Sequence, residues 1–128
     1  MLAPAFAISV LDVNELKKVN DTKGHAAGDL VIKEACRVIC GIFAHSPVFR
    51  IGGDEFAVIS QGSDYEQIDE LVARVAEYNE EAERSGGVVI ACGMSRFDDD
   101  DSSAEVFQRA DQEMYRNKAR LKGEVREN

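Results

Sequence analysis

At 128 residues, 45% hydrophobic and 30% charged, the chain has ordinary soluble composition and is long enough for one domain with a real core. Its formal charge of −9 argues against a nucleic-acid groove or direct contact with an anionic membrane as its business. A nucleotide is still within reach of so acidic a chain, provided metal ions bridge the two negative parties.

Met1 to Leu11 is apolar but has no basic leader and runs straight into Asp12, so it reads as a buried strand and not a signal peptide. No run approaches membrane-spanning length. Within it, Ala5 to Leu11 is nearly continuous apolar sequence, the mark of a central strand covered on both faces. Asp12 then falls at the strand's C-terminal end, where open α/β sheets commonly place ligand chemistry. A short helix is expected over Asn14 to Val19, with Leu16 and Val19 inward, and Asn20 to Gly24 has loop chemistry.

A longer helix is expected from Ala27 to Phe43, with Val31, Ala35, Val38 and Ile42 on one stripe, ended by Pro47. Cys36 and Cys40 sit one turn apart on it. That spacing invites a metal reading, but free cysteine packs as a small hydrophobe, and core packing is the better account. The odd count of three cysteines without paired metal spacing points to a reduced, cytoplasmic setting.

Two apolar runs, Val48 to Ile51 and Phe56 to Ile59, flank Gly52-Gly53-Asp54-Glu55. That reads as a β-hairpin, with the glycines supplying turn conformations other residues resist. Strand alternation would send Asp54 and Glu55 to opposite faces. A third helix is expected over Tyr65 to Arg84, with Ile68, Val72 and Val75 at helical spacing, closed by Gly86-Gly87; Val88 to Cys92 forms the next strand. Asp98 to Asp101 reads as a solvated loop rather than a metal site, because contiguous like charges stay hydrated.

Ser102 with Glu105 forms a capping box that opens the last helix, where Phe107, Ala110 and Met114 make the apolar stripe. Asp111, Tyr115, Lys118 and Lys122 share an adjacent face; complementation of the helix dipole accounts for its cations as well as ligand binding does. The order β-α-α-β-β-α-β-α places residues 1–128 in one α+β domain, an α/β sandwich with a mainly antiparallel sheet flanked by helices.

Asp12-Val13-Asn14, the segment Asn20-Asp21-Thr22-Lys23-Gly24-His25-Ala26-Ala27-Gly28-Asp29, the run Arg50 to Phe56, and Ala110 to Lys118 together resemble a GGDEF domain, the diguanylate cyclase family. The resemblance implies a ferredoxin-like, palm-type nucleotide cyclase fold. It also implies condensation of two GTP into cyclic di-GMP with release of two pyrophosphates. Each domain of a homodimer would hold one GTP, and each 3′-hydroxyl would attack the other α-phosphate. Mg²⁺ (or Mn²⁺) would be held by Asp12, the Val13 carbonyl, Asp54 and Glu55, hard oxygen ligands of the kind such ions prefer. By the same analogy Asp54, with Glu55 beside it, would serve the chemistry.

Asn20 and Asp29 match the residues that read guanine, and an acid at position 29 favours GTP over ATP. Taken alone, Asn20 reads as a helix C-cap and Asp29 as an acid at a helix N-terminus. Lys17, Lys118 and Lys122 correspond to phosphate contacts, Gly52 and Gly53 would let backbone lie against the nucleotide, Phe56 fills core and His25 is structural. An upstream sensory or receiver domain is implied as well.

Three departures stand out. The family's Arg-x-x-Asp inhibitory site falls on Phe43 and Ser46, so tight product inhibition through it is not expected. Leu121-Lys122 occupies the place of a Gly-Arg pair, keeping the charge but losing the bidentate fork. The usual N-terminal helix is lacking, because the sequence begins almost at the first strand. The alternative function is a catalytically inactive GTP-binding signalling module.

Overall fold

The computed structural model describes residues 5–99 and 102–121. Its centre is β1 (Ala7–Val13), buried at every position. It pairs antiparallel with β3 (Glu55–Ser60) on one side and β4 (Ile90–Arg96) on the other, and β2 (Val48–Arg50) completes the order β2-β3-β1-β4. All these pairings are antiparallel, so the expected sheet is present. Period-2 alternation divides β1 between two cores. Ala7, Leu11 and Val13 join a cluster with α2 (His25–Ile42) and α4 (Ile68–Ser85), while Ile8 and Val10 pack under α5 (Ser103–Leu121). Helices thus cover both faces, which is why β1 is so uniformly apolar.

The elements differ from the sequence expectation where polar residues hid them. β1 runs two residues further than Leu11, so Asp12 lies inside the strand. The chain then turns sharply through Glu15, which has a left-handed backbone (φ 61°). α1 (Leu16–Lys23) continues through Asn20 and Asp21 and stops at Gly24 (φ 88°). Weak helix formers are tolerated there because Thr22 Oγ donates to the Lys18 carbonyl at 2.7 Å and α1 packs on α2. On α2 the buried stripe is Ile32, Ala35, Val38 and Ile39, with Val31 and Ile42 at its margins. Cys40 is exposed, its Sγ 3.9 Å from that of Cys36, so core packing accounts for only part of that pair.

The third helix is two helices, α3 (Gly62–Glu66) and α4, broken at Gln67. Asp64 turns inward, accepting from the His45 N–H (3.0 Å) and the Ser46 hydroxyl (2.6 Å), which anchors α3 to the loop before β2. Asp98 and Asp99 are exposed, as expected of a solvated run, and the other two acids lie outside the described residues. Ser102 Oγ accepts from the Glu105 N–H at 3.3 Å, as the capping box requires. No described helix is long and apolar enough to cross a membrane.

β4 reaches Arg96 because it pairs along the whole of β1. Gly93 lets α5 lie directly on it, since a Cβ there would come within 2.1 Å of the Met114 nitrogen. Asparagine side chains cap two positions on the outer edge of β4. Asn79 donates to the Ile90 carbonyl (2.7 Å) and accepts from the Ile90 N–H (2.8 Å), while Asn117 accepts from the Cys92 N–H (2.9 Å). Replacing Asn79 with Ala strands two buried backbone groups and is predicted to cost about 2–3 kcal/mol. Denaturant unfolding measures this directly, and a loss under about 0.5 kcal/mol would show that water replaces the cap.

Candidate active site

The pairing of β1 with β3 sets Asp12 opposite Glu55. One residue on, the Val13 N–H donates to the Asp54 carbonyl at 2.8 Å, tying the hairpin turn to the end of β1. As a result Asp12, Asp54 and Glu55 each offer a carboxylate oxygen within 4.8 Å of the others. The alternation argument fails here because Asp54 precedes β3 and lies in the bend, where strand periodicity does not govern side-chain direction. Phe56, the next residue, is in the core as expected.

The turn is held by its own residues. The Ile51 and Gly52 N–H groups donate to the Glu55 carbonyl at 2.9 and 3.3 Å. The Arg50 guanidinium donates to the carbonyls of Gly52 and Gly53. Neither glycine is among those with positive φ, and a Cβ at Gly53 would meet nothing within 4 Å. Backbone conformation therefore does not explain them, and they leave an open surface beside Asp54.

The acids crowd one another electrostatically. Burial, and then the charges of Asp12, Asp111 and Asp54, hold the Glu55 carboxyl above its ordinary value of 4.5, with Lys118 acting in the opposite direction. Lys118 Nζ lies 3.4 Å from Asp12 Oδ2. Asp111 and Lys118 both come from α5, and their shared face was visible in the sequence, although Asp111 had no role assigned there. Several carboxylates, no imidazole and no thiolate make a donor set suited to Mg²⁺ or Mn²⁺ rather than to softer ions.

A second constellation lies between α1 and α2. Asn20 is inside α1, not at its C-cap, and Asp29 lies beyond the first turn of α2, whose N-cap is Gly24. Both capping readings are thereby removed. The Asn20 side chain rests on Gly28, where an added Cβ would lie 1.7 Å from Oδ1. Gly28 is a positioning residue the sequence reading passed over, although a helix-interior glycine, costly against alanine, was the available signal. Asp29, Lys17 and His25 are exposed. Lys122 lies outside the described residues.

Phe43, in the place of the family's inhibitory arginine, is 1% exposed in the core, and Ser46 is bonded to Asp64. An apolar cavity of about 470 Å³ between α2 and α4 is lined by Leu30, Val31, Tyr78 and Val88 among others, but by none of the three clustered acids.

A family profile described as "Diguanylate cyclase, GGDEF domain" matches residues 3–124, and the chain belongs to that family. It is 33% identical over 120 residues to diguanylate cyclase DgcS of Shewanella oneidensis, covering 88% of this chain and 39% of that protein. It is 29% identical over 119 residues to diguanylate cyclase A of Treponema denticola, covering 88% and 32%. The chain thus spans well under half the length of these relatives. Among solved structures, the active GGEEF domain of a Vibrio cholerae diguanylate cyclase superposes with a TM-score of 0.77 at 23% identity, covering 88% of this chain and 76% of that one, a likeness of fold. The GGDEF domain of DgcB from Caulobacter crescentus, solved with c-di-GMP, gives 0.70 at 28% identity, covering 89% and 72%.

Crowding at Glu55 has a measurable sign. Because its folded-state value is raised, the group favours the fold while protonated, and that contribution fades as pH rises through the raised value. In metal-free protein, Glu55→Gln is predicted to raise the melting temperature near pH 7 and to have little effect near pH 4. Melts in chelator across that range test it, and a variant less stable near neutrality would contradict the crowding.

Proposed function

We propose that this chain is a diguanylate cyclase module that condenses two GTP into cyclic di-GMP and releases two pyrophosphates. The observation that carries the reading is the convergence of Asp12, Asp54 and Glu55 within 4.8 Å, on a fold whose relatives are cyclases. These carboxylates and the Val13 carbonyl would hold a divalent ion, which would supply charge neutralisation and Lewis-acid polarisation at the α-phosphate. Asp12 is the buried anchor of the set. Asp54, half-buried at the open turn, takes the proton of the attacking 3′-hydroxyl in this reading.

Asn20 and Asp29 read guanine: the carboxylate accepts from N1–H and N2–H, and the amide both donates and accepts. Lys17, Lys118 and Lys122 hold phosphate oxygens, and Gly52-Gly53 gives the nucleotide room against the turn. A single domain carries one such set, so ring closure requires a second copy facing it, and homodimerisation is part of the mechanism. Given the lengths of its relatives, we propose that the module works under a sensory or receiver domain, in the cytoplasm, where free cysteines such as Cys36, Cys40 and Cys92 stay reduced. The second reading, a GTP-binding module without turnover, uses the same guanine set.

The first test incubates the chain with GTP and Mg²⁺ at low and high protein concentration, followed by chromatography with mass detection. Cyclic di-GMP rising more steeply than protein concentration is the predicted outcome. Asp54→Ala should abolish it with the circular dichroism spectrum unchanged, and full activity in that variant would remove the metal assignment. Product at no concentration, with GTP still bound, would leave the second reading or a module that cannot act without an upstream segment, and repeating the assay with that segment chooses between them.

The guanine site is tested separately. Gly28→Ala should displace Asn20 and weaken GTP binding by roughly tenfold, the scale of one lost hydrogen bond left unpaired. Calorimetry against ATP as the comparison nucleotide reads the change, and an unaltered preference for GTP would take Asn20 out of the guanine site.

A further inference from the structure

Lys118 approaches the acidic cluster from α5, the helix packed on the face of the sheet that Asp12 shares with Ile8 and Val10. It projects from α5 and sets its Nζ 3.4 Å from Asp12 Oδ2, with the lysine side chain 22% exposed and the aspartate 3%. The cluster it joins is strongly anionic: Asp12, Asp54 and Glu55 within 4.8 Å, and Asp111 close enough to act on Glu55. Carboxylates brought together in this way need positive charge beside them, and the ammonium supplies it.

An ammonium and a divalent ion compete for the same carboxylate. Mg²⁺ binds carboxylate oxygens at about 2.0–2.1 Å in near-octahedral geometry. A unit positive charge held about 4 Å away opposes it, and far more strongly in a partly buried site than in water. The lysine has somewhere to go. Its four-carbon stem is flexible, and Nζ already lies 6.0 Å from the ring centroid of Tyr115, at the limit of cation–π range. Tyr115 is 55% exposed, against 2% for Asp12, so the ring offers the amine a more solvated place than the carboxylate does.

We propose that Lys118 is an exchangeable counter-ion: it neutralises Asp12 while the acids hold no divalent ion, and it is released towards the nucleotide phosphates when they do. The inference rests on the metal reading of the cluster and adds a coupling to it. Because the released amine is the one offered to phosphate, metal and triphosphate each make room for the other, and binding of the pair is cooperative. Lys118 therefore weakens binding of metal alone while strengthening binding of metal with nucleotide.

The test is a Mn²⁺ titration of the metal-free chain, followed by electron paramagnetic resonance, with and without a non-hydrolysable GTP analogue. Without nucleotide, Lys118→Met is expected to bind Mn²⁺ about tenfold more tightly than the unmodified chain. Lys118→Arg, which keeps the charge, should stay near the unmodified value. With the analogue present, Lys118→Met should lose most of the enhancement that nucleotide gives to Mn²⁺ binding. Unchanged or weaker Mn²⁺ binding by Lys118→Met, with Asp12→Asn abolishing it, would overturn the exchange and leave the metal site standing. Equal Mn²⁺ binding by Asp12→Asn and the unmodified chain would overturn both.

Discussion

Antiparallel pairing of β1 with β3 places two like charges, Asp12 and Glu55, directly across from one another, an arrangement that opposes sheet formation. The turn then adds Asp54 to the same point. The rest of the architecture offsets this cost. β1 is buried throughout, so the pairing is driven by apolar surface removed from water on both faces. Arg50 holds the turn carbonyls, which keeps the hairpin tip from swinging away from its own charge. α5 reaches over the sheet to supply Lys118, and Gly93 lets the backbone of that helix come close enough to do so. A region held in an unfavourable charge state by strong surroundings is where ligand chemistry is to be sought.

The elements with the cleanest periodicity are legible in the sequence itself. β1 showed as an apolar run, α2 and α5 as stripes, and the hairpin as two apolar runs around glycines. The misplaced parts share a cause: side-chain type did not decide them. Asn20 and Asp21 disfavour helix but are carried into α1 by packing on α2 and by Thr22 bonding back to Lys18. Ser95 and Arg96 lengthen β4 because β1 offers a partner that far. The third helix is interrupted at Gln67, and the piece ahead of the break is tied down by Asp64 turning inward to His45 and Ser46, a bond formed 19 residues away in sequence.

The candidate site was legible in its members and not in its geometry. Motif order picked out Asp12, Asp54, Glu55, Asn20 and Asp29, yet the alternation rule assigned Asp54 and Glu55 to opposite faces. A strand rule cannot describe a residue one position before the strand starts. Gly28 and Asp111 were both within quoted stretches of sequence. Their parts follow from Asn20 lying against one and from the field of the other at Glu55, and each of these is a long-range fact. Asn79 was the more readable omission, because a polar residue on the apolar stripe of α4 must find a partner when buried.

That asparagine has a wider consequence. A sheet with open borders recruits strands from other molecules and tends towards aggregation. Here one border, β4, has Ile90 and Cys92 already bonded to Asn79 and Asn117. The other, β2, is three residues long and directly preceded by Pro47. Neither is a good template for strand addition. Copies of such a module can be crowded together and still meet by their faces instead of fusing by their sheets.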